Sequence, residues 1–367
     1  MKAIDKVNLI VFPYRSSHFK KKYGTSVRDI QIIEILKTHP AIDNILIVER
    51  PLSIYELMLG RFSNTPGHLI DYSLDLLGPL KGREWTENCY DNTIPKVKEL
   101  TKLWKNLIVL DFTPIAKIHK KSIDPCFYWY DMIDNFKKHN RFSKLQKQLV
   151  SEKYNLANNN ADLITGVTEI ALDEFSNLNT ITMPNGVFPH DSYDSKVPAE
   201  FKYGFFGFIT DKFDVDFIKN LAKTDSSARF ILCGEILDSS VAKQLKSIDN
   251  VTLHGRFSRG DTARLASQFE VGIIPYRKDK SHDGSPLKLY EYMWFGKPVL
   301  TSIDYEYSAN FIINYNKLET LQIVSEVDVL LSTPSISQHI KGSLDKEMHT
   351  EFRVNKIIEY ILQKIRQ

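Results

Sequence analysis

Residues 283–300 read "DGSPLKLYEYMWFGKPVL", preceded by the apolar run "VGIIPY" (271–276) and ending within a second one, "KPVLTS" (297–302). The order is strand, loop, helix, turn, strand. Gly284, Ser285 and Pro286 fall where the helix opens: serine is a favoured N-cap and proline a favoured first helical residue. A helix starting there turns its free amide groups and positive dipole end toward whatever lies beyond the preceding strand, and phosphate oxygens suit that position. Leu287 and Lys288 lie in the first turn, and Glu291 follows on the same face as Lys288. Gly296 reads as the helix C-cap and Pro298 as its stop. Spacing alone leaves two readings open. One is an anion site; the other is a well-capped surface helix in which Lys288 and Glu291 pair with each other.

The same alternation runs through the chain. In the first half, strand candidates are "VNLIVF" (7–12), "NILIVE" (44–49), "HLIDYSL" (68–74), "LIVLD" (107–111), "CFYWY" (126–130), "LITG" (163–166) and "TITM" (180–183). Helix-like stretches such as "SVRDIQIIEILKTH" and "RFSKLQKQLVSEKYNLANNN" separate them. In the second half, "YGFFGFI" (203–209), "ARFILCG" (228–234) and "NVTLHG" (250–255) alternate with "DVDFIKNLAK", "SVAKQLKSI" and "DTARLASQF". Strands each followed by a helix build parallel sheets covered on both faces. The expected fold class is α/β, with two doubly wound Rossmann-like domains. Residues 1–186 form the first, 187–345 the second, and 346–367 a closing amphipathic helix that crosses back to the first. "MPNGVFPHDSYDSKVPAEF" (183–201), rich in Pro, Asn, Gly and Ser, reads as the linker. Two such domains imply a cleft, with ligands beyond the carboxyl ends of the strands.

Composition bounds the function. The 367 residues suffice for two cores, and 43% hydrophobic with 25% charged residues is typical of a soluble globular protein. A net charge of +3 does not suggest a nucleic-acid binder. Cys89, Cys126 and Cys233 form no CxxC pair and read as reduced thiols in a cytoplasmic protein. The first apolar run is too short for a signal peptide, and no stretch approaches a spanning helix.

The 283–300 segment closely resembles the nucleotide-sugar site of GT-B glycosyltransferases, above all bacterial enzymes of surface-polysaccharide synthesis with a retaining-type, group-1-like donor domain; "PLKLYEY" carries the likeness. That resemblance implies two domains facing a cleft and transfer from a nucleoside-diphosphate sugar, commonly a UDP-sugar. Retaining members carry a Glu, seven residues, then a second Glu. Glu291 matches the second, which binds the ribose hydroxyls. Asp283 stands where the first would be, and that family position contacts the transferred sugar. Lys288 matches a lysine that contacts the diphosphate, and Ser285, Pro286 and Leu287 line the same approach. "YGFFGFITDKF" resembles the first donor-domain strand and turn, with Gly207 letting the backbone approach phosphate. Phe208 replaces the usual Arg there; Lys212 is the nearby lysine where many members carry a second cation, and reads either as that contact or, preferably, as a solvated surface residue. "NVTLHGRFSRGD" resembles the base-binding loop, where Arg256 and Phe257 fall on the contact positions. Tyr276, after the next strand, either faces the cleft or packs as a core aromatic, the second reading being preferred.

In the N-terminal half, "YGTSVRDIQIIEIL" resembles the loop entering the first helix, and Gly24 would let the chain pass near the diphosphate. The run holding Arg15, His18, Lys20, Lys21 and Lys22 is either a solvated face or a contact for an anionic acceptor or the inner membrane face. "CFYWYDMIDNF" resembles a strand followed by Asp-x-x-Asp. Asp131 or Asp134 would then bind an acceptor hydroxyl or, in an inverting enzyme, take its proton; a turn or cap role is the alternative for each. Asp111, at another strand end, carries the same ambiguity. The histidines, His119, His139, His254 and His282 among them, lack metal-ligand spacing, so neither metal nor cofactor is expected beyond the donor substrate. The resulting expectation is a metal-independent, retaining glycosyltransferase whose acceptor is a glycan or lipid-linked glycan. The alternatives are a non-hydrolysing nucleotide-sugar epimerase and a degenerate glycan-binding subunit.

Overall fold

The computed structural model of the protein describes residues 6–60, 65–73, 78–190, 198–280 and 283–367. Leu74, residues 191–197 of the expected linker, and His282 lie outside the described residues. The chain divides into two compact units. Unit 1 comprises Met1–Pro184, His282–Gly284 and Arg353–Gln367; unit 2 comprises Asn185–Ser281 and Ser285–Phe352.

The strands of unit 1 are β1 (Val7–Phe12), β2 (Ile42–Val48), β3 (Leu52–Ser53), β4 (His68–Leu69), β5 (Tyr72–Ser73), β6 (Leu107–Asp111), β7 (Phe127–Met132), β8 (Leu163–Gly166) and β9 (Thr180–Thr182). Its helices are α1 (Ser17–Tyr23), α2 (Arg28–Thr38), α3 (Ile54–Met58), α4 (Ile94–Thr101), α5 (Lys120–Ile123), α6 (Lys144–Asn160) and α7 (Glu169–Leu172). Seven strands form one sheet in the order β4-β2-β1-β6-β7-β8-β9, with every pairing parallel. The order reverses at β1, which pairs with both β2 and β6.

Both faces of this sheet are covered, so its strands read as unbroken apolar runs. Ile10, Phe12, Tyr128 and Tyr130 pack on one side with Val150 and Tyr154 of α6. Leu9, Val11 and Trp129 pack on the other with Ile32 and Leu36 of α2. "HLIDYSL" does not make one strand. The buried carboxylate of Asp71 is held by Lys96 and Thr93, and the chain leaves β2 there to pair with β3 instead.

Unit 2 contains β10 (Phe201–Phe206), β11 (Phe230–Cys233), β12 (Val251–Gly255), β13 (Phe269–Ile274), β14 (Val299–Thr301) and β15 (Ile312–Asn314). Its helices are α8 (Val215–Thr224), α9 (Ser239–Lys246), α10 (Thr262–Ala266), α11 (Leu287–Trp294), α12 (Thr320–Ser332) and α13 (Ile336–Gly342). The six strands run parallel in the order β12-β11-β10-β13-β14-β15, reversing between β10 and β13. Tyr203 and Phe205 pack with Ile218 and Leu221 of α8, whereas Phe206 and Cys233 pack with Leu289 and Met293 of α11.

The last helix, α14, spans Thr350–Ile365. Val354, Ile357, Ile358 and Ile361 recur at helical spacing and are buried with Val7, Leu9 and Trp129 of unit 1. Burial of each is worth about 1.5–3 kcal/mol. No described helix is long and apolar enough to cross a membrane.

Candidate nucleotide-sugar site

In unit 2 the strand order switches between β10 and β13, and at such points open α/β sheets bind ligands beyond their strand ends. Gly207 follows β10 with φ +125°, and its amide donates to Cys233 O at 2.9 Å. Two neighbouring strand ends carry glycines as well. A Cβ on Gly234 would stand only 1.7 Å from Gly207 O, so the chain can close here only without side chains. Space above Gly207 is taken by Lys288, whose Cε and Nζ would lie 2.6 and 2.7 Å from a Cβ at that position.

Lys288 Nζ lies 5.4 Å from the Phe205 ring centre and 5.3 Å from that of Tyr276, which follows β13. From the other part of the switch point Lys212 places its Nζ 4.4 Å from the same Tyr276 ring. Lys212 is thus not the solvated lysine expected from sequence; it leans over a half-buried aromatic. Burial would push the Tyr276 phenol up, yet the ammonium charges of Lys288 and Lys212 outweigh it and hold the phenol below its ordinary value. Among the described residues neither lysine forms an ion pair with a carboxylate. Two cations thus flank one phenol, with the Glu291 carboxylate close enough to be felt by Tyr276 and Lys288 but bonded to neither lysine.

α11 begins at Leu287, with Pro286 in the N-cap position at φ −82° and ψ 120°. The expected serine cap does not form. Ser285 Oγ donates instead to Glu306 and accepts from the Asn185 amide at 3.1 Å, because Glu306 and Asn185 both reach it in the interior. Its hydroxyl therefore fixes the loop rather than the helix amides. Gly296 ends the helix at φ +68°, with Lys297 N–H returning to Tyr292 O at 2.9 Å.

Glu291 does not pair with Lys288. Its Oε1 lies 3.4 Å from His190 Nε2, an ion-pair distance, and 4.0 Å from an Arg259 guanidinium nitrogen. Burial alone would raise the Glu291 carboxyl, but His190, Arg259 and Lys288 together hold it below the ordinary carboxylate range. Arg259 also donates to Phe188 O and Pro189 O at 3.1 and 2.9 Å. Neither His190 nor Arg259 was visible as a site residue. His190 sits in an aperiodic Pro-rich stretch, and Arg259 lies past the two residues that the family likeness singles out. Those two differ: Phe257 is half-buried against Phe206, with ring centres 5.4 Å apart, whereas Arg256 is exposed.

The remaining candidates lie in unit 1. Gly24 caps α1 at φ 69°, its amide donating to Lys20 O at 2.7 Å. Asp131 was expected to project from a strand end. It is instead fully buried within β7, in a bidentate pair with Arg28 at 2.9 and 2.8 Å, and accepts from Thr165 Oγ1 at 2.6 Å. Both oxygens are engaged in the core, so this carboxylate orients the start of α2. Asp111 is similarly enclosed by Lys153, Tyr128 and Thr113. Asp134, just past β7, is half-buried and accepts the Asn135 amide at 3.0 Å. Asp283 adopts the left-handed region at φ +58°; its carboxylate takes Asn135 Nδ2 at 3.1 Å and Lys138 Nζ at 2.7 Å, and its carbonyl takes Thr168 Oγ1 at 2.8 Å.

Residues 208–319 match the family model described as "Glycosyl transferases group 1". No curated protein matches the chain. Among solved structures it resembles sucrose-phosphate synthase from Thermosynechococcus elongatus (10% identity, TM-score 0.66, 98% of this chain and 100% of that one). It also resembles a lipopolysaccharide outer core galactosyltransferase, WaaB (12%, TM-score 0.56, 98% and 99%). A third is S. aureus TarM in complex with Fondaparinux, alpha-GlcNAc-glycerol and UDP (17%, TM-score 0.50, 74% and 58%), of whose length the chain therefore spans little more than half. A UDP-N-acetylglucosamine 2-epimerase is similar too (15%, TM-score 0.50, 98% and 96%), so the fold by itself leaves the reaction open. At these identities the likeness establishes the GT-B fold of two Rossmann-like units.

Proposed function

Because residues 208–319 are a group 1 glycosyltransferase domain within a GT-B fold, we propose that this glycosyltransferase takes its sugar from a UDP-sugar. The acceptor is a hydroxyl of a glycan or lipid-linked glycan in cell-surface polysaccharide synthesis. The observation that carries the donor part is the pair of ammonium groups, Lys288 and Lys212, flanking Tyr276 at the strand-order switch without a carboxylate partner among the described residues. A diphosphate satisfies both, and the amide groups opening α11 add a partial positive charge of roughly +0.5. Glu291, kept ionised by its neighbours, offers two acceptor oxygens to two adjacent ribose hydroxyls. The UDP in the TarM complex supports the choice of nucleotide.

In this reading the bond between the anomeric carbon and the phosphate oxygen breaks, and the electron pair stays with the diphosphate. Lys288, Lys212 and the α11 amides stabilise that growing charge. The sequence match of Asp283 and Glu291 to the two acidic positions of retaining enzymes is the ground for proposing retention. A front-face transfer lets the departing phosphate oxygen receive the acceptor proton, so no carboxylate base is required. Inversion would need one, and Asp134 is the better candidate, since both Asp131 oxygens are bound to Arg28.

An epimerase would need several acids and bases around the sugar C2, and among the described residues of unit 2 this site brings together one carboxylate, Glu291, with His190, Tyr276 and cations. The test is a nucleotide-sugar panel with added glycan acceptors, with product anomers read by NMR. Transfer with retained configuration is expected. An epimerised nucleotide sugar, formed without acceptor, would contradict the assignment.

A further inference from the structure

Unit 1 holds a cavity of about 420 Å³ that the donor chemistry does not use. Its size falls in the range of roughly 300–1,000 Å³ found for small-molecule sites. Tyr72, Glu84, Trp85, Asn88, Asn92 and Leu145 line it. We propose that this cavity is a saccharide-binding pocket that holds part of the glycan acceptor; its purpose rests on the transferase reading, its chemistry does not.

The wall is built before any ligand arrives. Asp71 is buried, bound by Lys96 at 2.8 Å and Thr93 at 3.2 Å, and takes the Tyr72 amide at 2.9 Å, which fixes the backbone carrying Tyr72. The Trp85 indole edge packs on Gly78, where a Cβ would stand 2.3 Å from the ring nitrogen. Arg50 lies 5.0 Å from the indole centre and is itself held by Glu56 at 2.6 Å. Arg50 is not part of the cavity lining, so the indole presents its remaining surface to the cavity.

Around this fixed ring some polar groups are engaged, Thr93 with Asp71 and Glu87 with Lys117, and others are idle. Among the described residues the Asn88 and Asn92 carboxamides, the Glu84 carboxylate and the Tyr72 hydroxyl have no protein hydrogen-bond or ion-pair partner. Tyr72 is 60% exposed and Leu145 49%. An aromatic and an aliphatic surface inside a concavity, edged by two amides and a carboxylate, matches a pyranose: apolar C–H faces and a rim of hydroxyls that both donate and accept. A protein partner would need a broader apolar face, and with Glu84 and Glu87 beside Lys81 the lining holds no excess of positive charge for a phosphate.

The test titrates the full chain with maltotetraose, cellotetraose, chitotetraose and a β-galactotetraose, each to about 10 mM, the reach of weak binding. Binding is read by tryptophan fluorescence and saturation-transfer NMR, and UDP affinity is measured on the same samples. At least one saccharide should bind. Asn88→Ala and Asn92→Ala, on exposed side chains, should each weaken it by about fivefold to tenfold. Trp85→Ala should weaken it by more than tenfold, with partial recovery in Trp85→Phe. UDP affinity should change less than twofold in each, on the order of measurement error in such comparisons.

The proposal is overturned if no saccharide binds, if binding survives these substitutions, or if UDP displaces the saccharide from this pocket. A wild-type protein that fails to bind UDP would defeat the donor reading and leave the saccharide result to stand or fall by itself.

Discussion

Gly207 and Lys288 share one volume: a methyl group on the glycine would lie 2.6 Å from Cε and 2.7 Å from Nζ of the lysine. Lys288→Ala should therefore lower UDP affinity by about tenfold or more, the worth of a charge-assisted contact. Gly207→Ala should reproduce much of that loss by pushing the ammonium away, with a stability cost of about 1–3 kcal/mol from the φ +125° backbone. If the glycine acts through the lysine, the double variant binds UDP no worse than Lys288→Ala does. Fully additive losses, measured by calorimetry, would reject the coupling.

Glu291 should discriminate ribose. Wild type is expected to bind UDP about tenfold more tightly than its 2′-deoxy analogue, and Glu291→Gln should lose most of that preference. Equal discrimination in the two proteins would show that another residue reads the hydroxyls.

Asp29 supplies a pH signature in unit 1. It is buried, takes the Arg15 amide on one oxygen at 2.7 Å, and has no hydrogen-bond partner on the other. Burial raises its pKa from 3.8 to about 6 against the smaller pull of Arg15. Between those values the unfolded chain has already released its proton while the folded one retains it, so stability falls as pH rises from about 4 to 6. A shift of that size corresponds to about 3 kcal/mol at neutral pH. Asp29→Asn should match wild type in Tm near pH 4 and exceed it at pH 7. Parallel Tm curves across that range would exclude a raised Asp29.

The Arg28–Asp131 pair is expected to act on stability. Arg28→Ala leaves a buried carboxylate without its partner and should cost about 3–5 kcal/mol in chemical denaturation. Arg28→Lys should recover only part, because one ammonium cannot replace a two-pronged guanidinium. A variant of unchanged stability with abolished transfer would return Asp131 to a role in chemistry.

These contrasts mark how far the sequence could be read. Strands such as "LIVLD" and "CFYWY", the second observed as Phe127–Met132, stood out because burial on both faces leaves an apolar run. The α14 stripe was legible for the same reason at helical period. Helix α1 was not: its lysine run looks like a solvated surface, and only the Ser16 side chain accepting the Phe19 amide betrays a start. Two-residue strands such as β4 and β5 lie below any periodicity. Within the proposed site, Lys288, Glu291 and Gly207 could be singled out because helix start and strand end are local signals and the family likeness falls on the same positions. The buried fate of Asp131, and the approach of His190 and Arg259 to Glu291, depend on residues distant in sequence. Asp131 meets Arg28 across 103 positions.

The most direct measurement is a crystal structure of the protein soaked with UDP. The account predicts diphosphate oxygens within hydrogen-bond reach of Lys288 Nζ and the first amide groups of α11, with the ribose on Glu291. Nucleotide density anywhere else, or a diphosphate touching neither Lys288 nor that helix start, would contradict it.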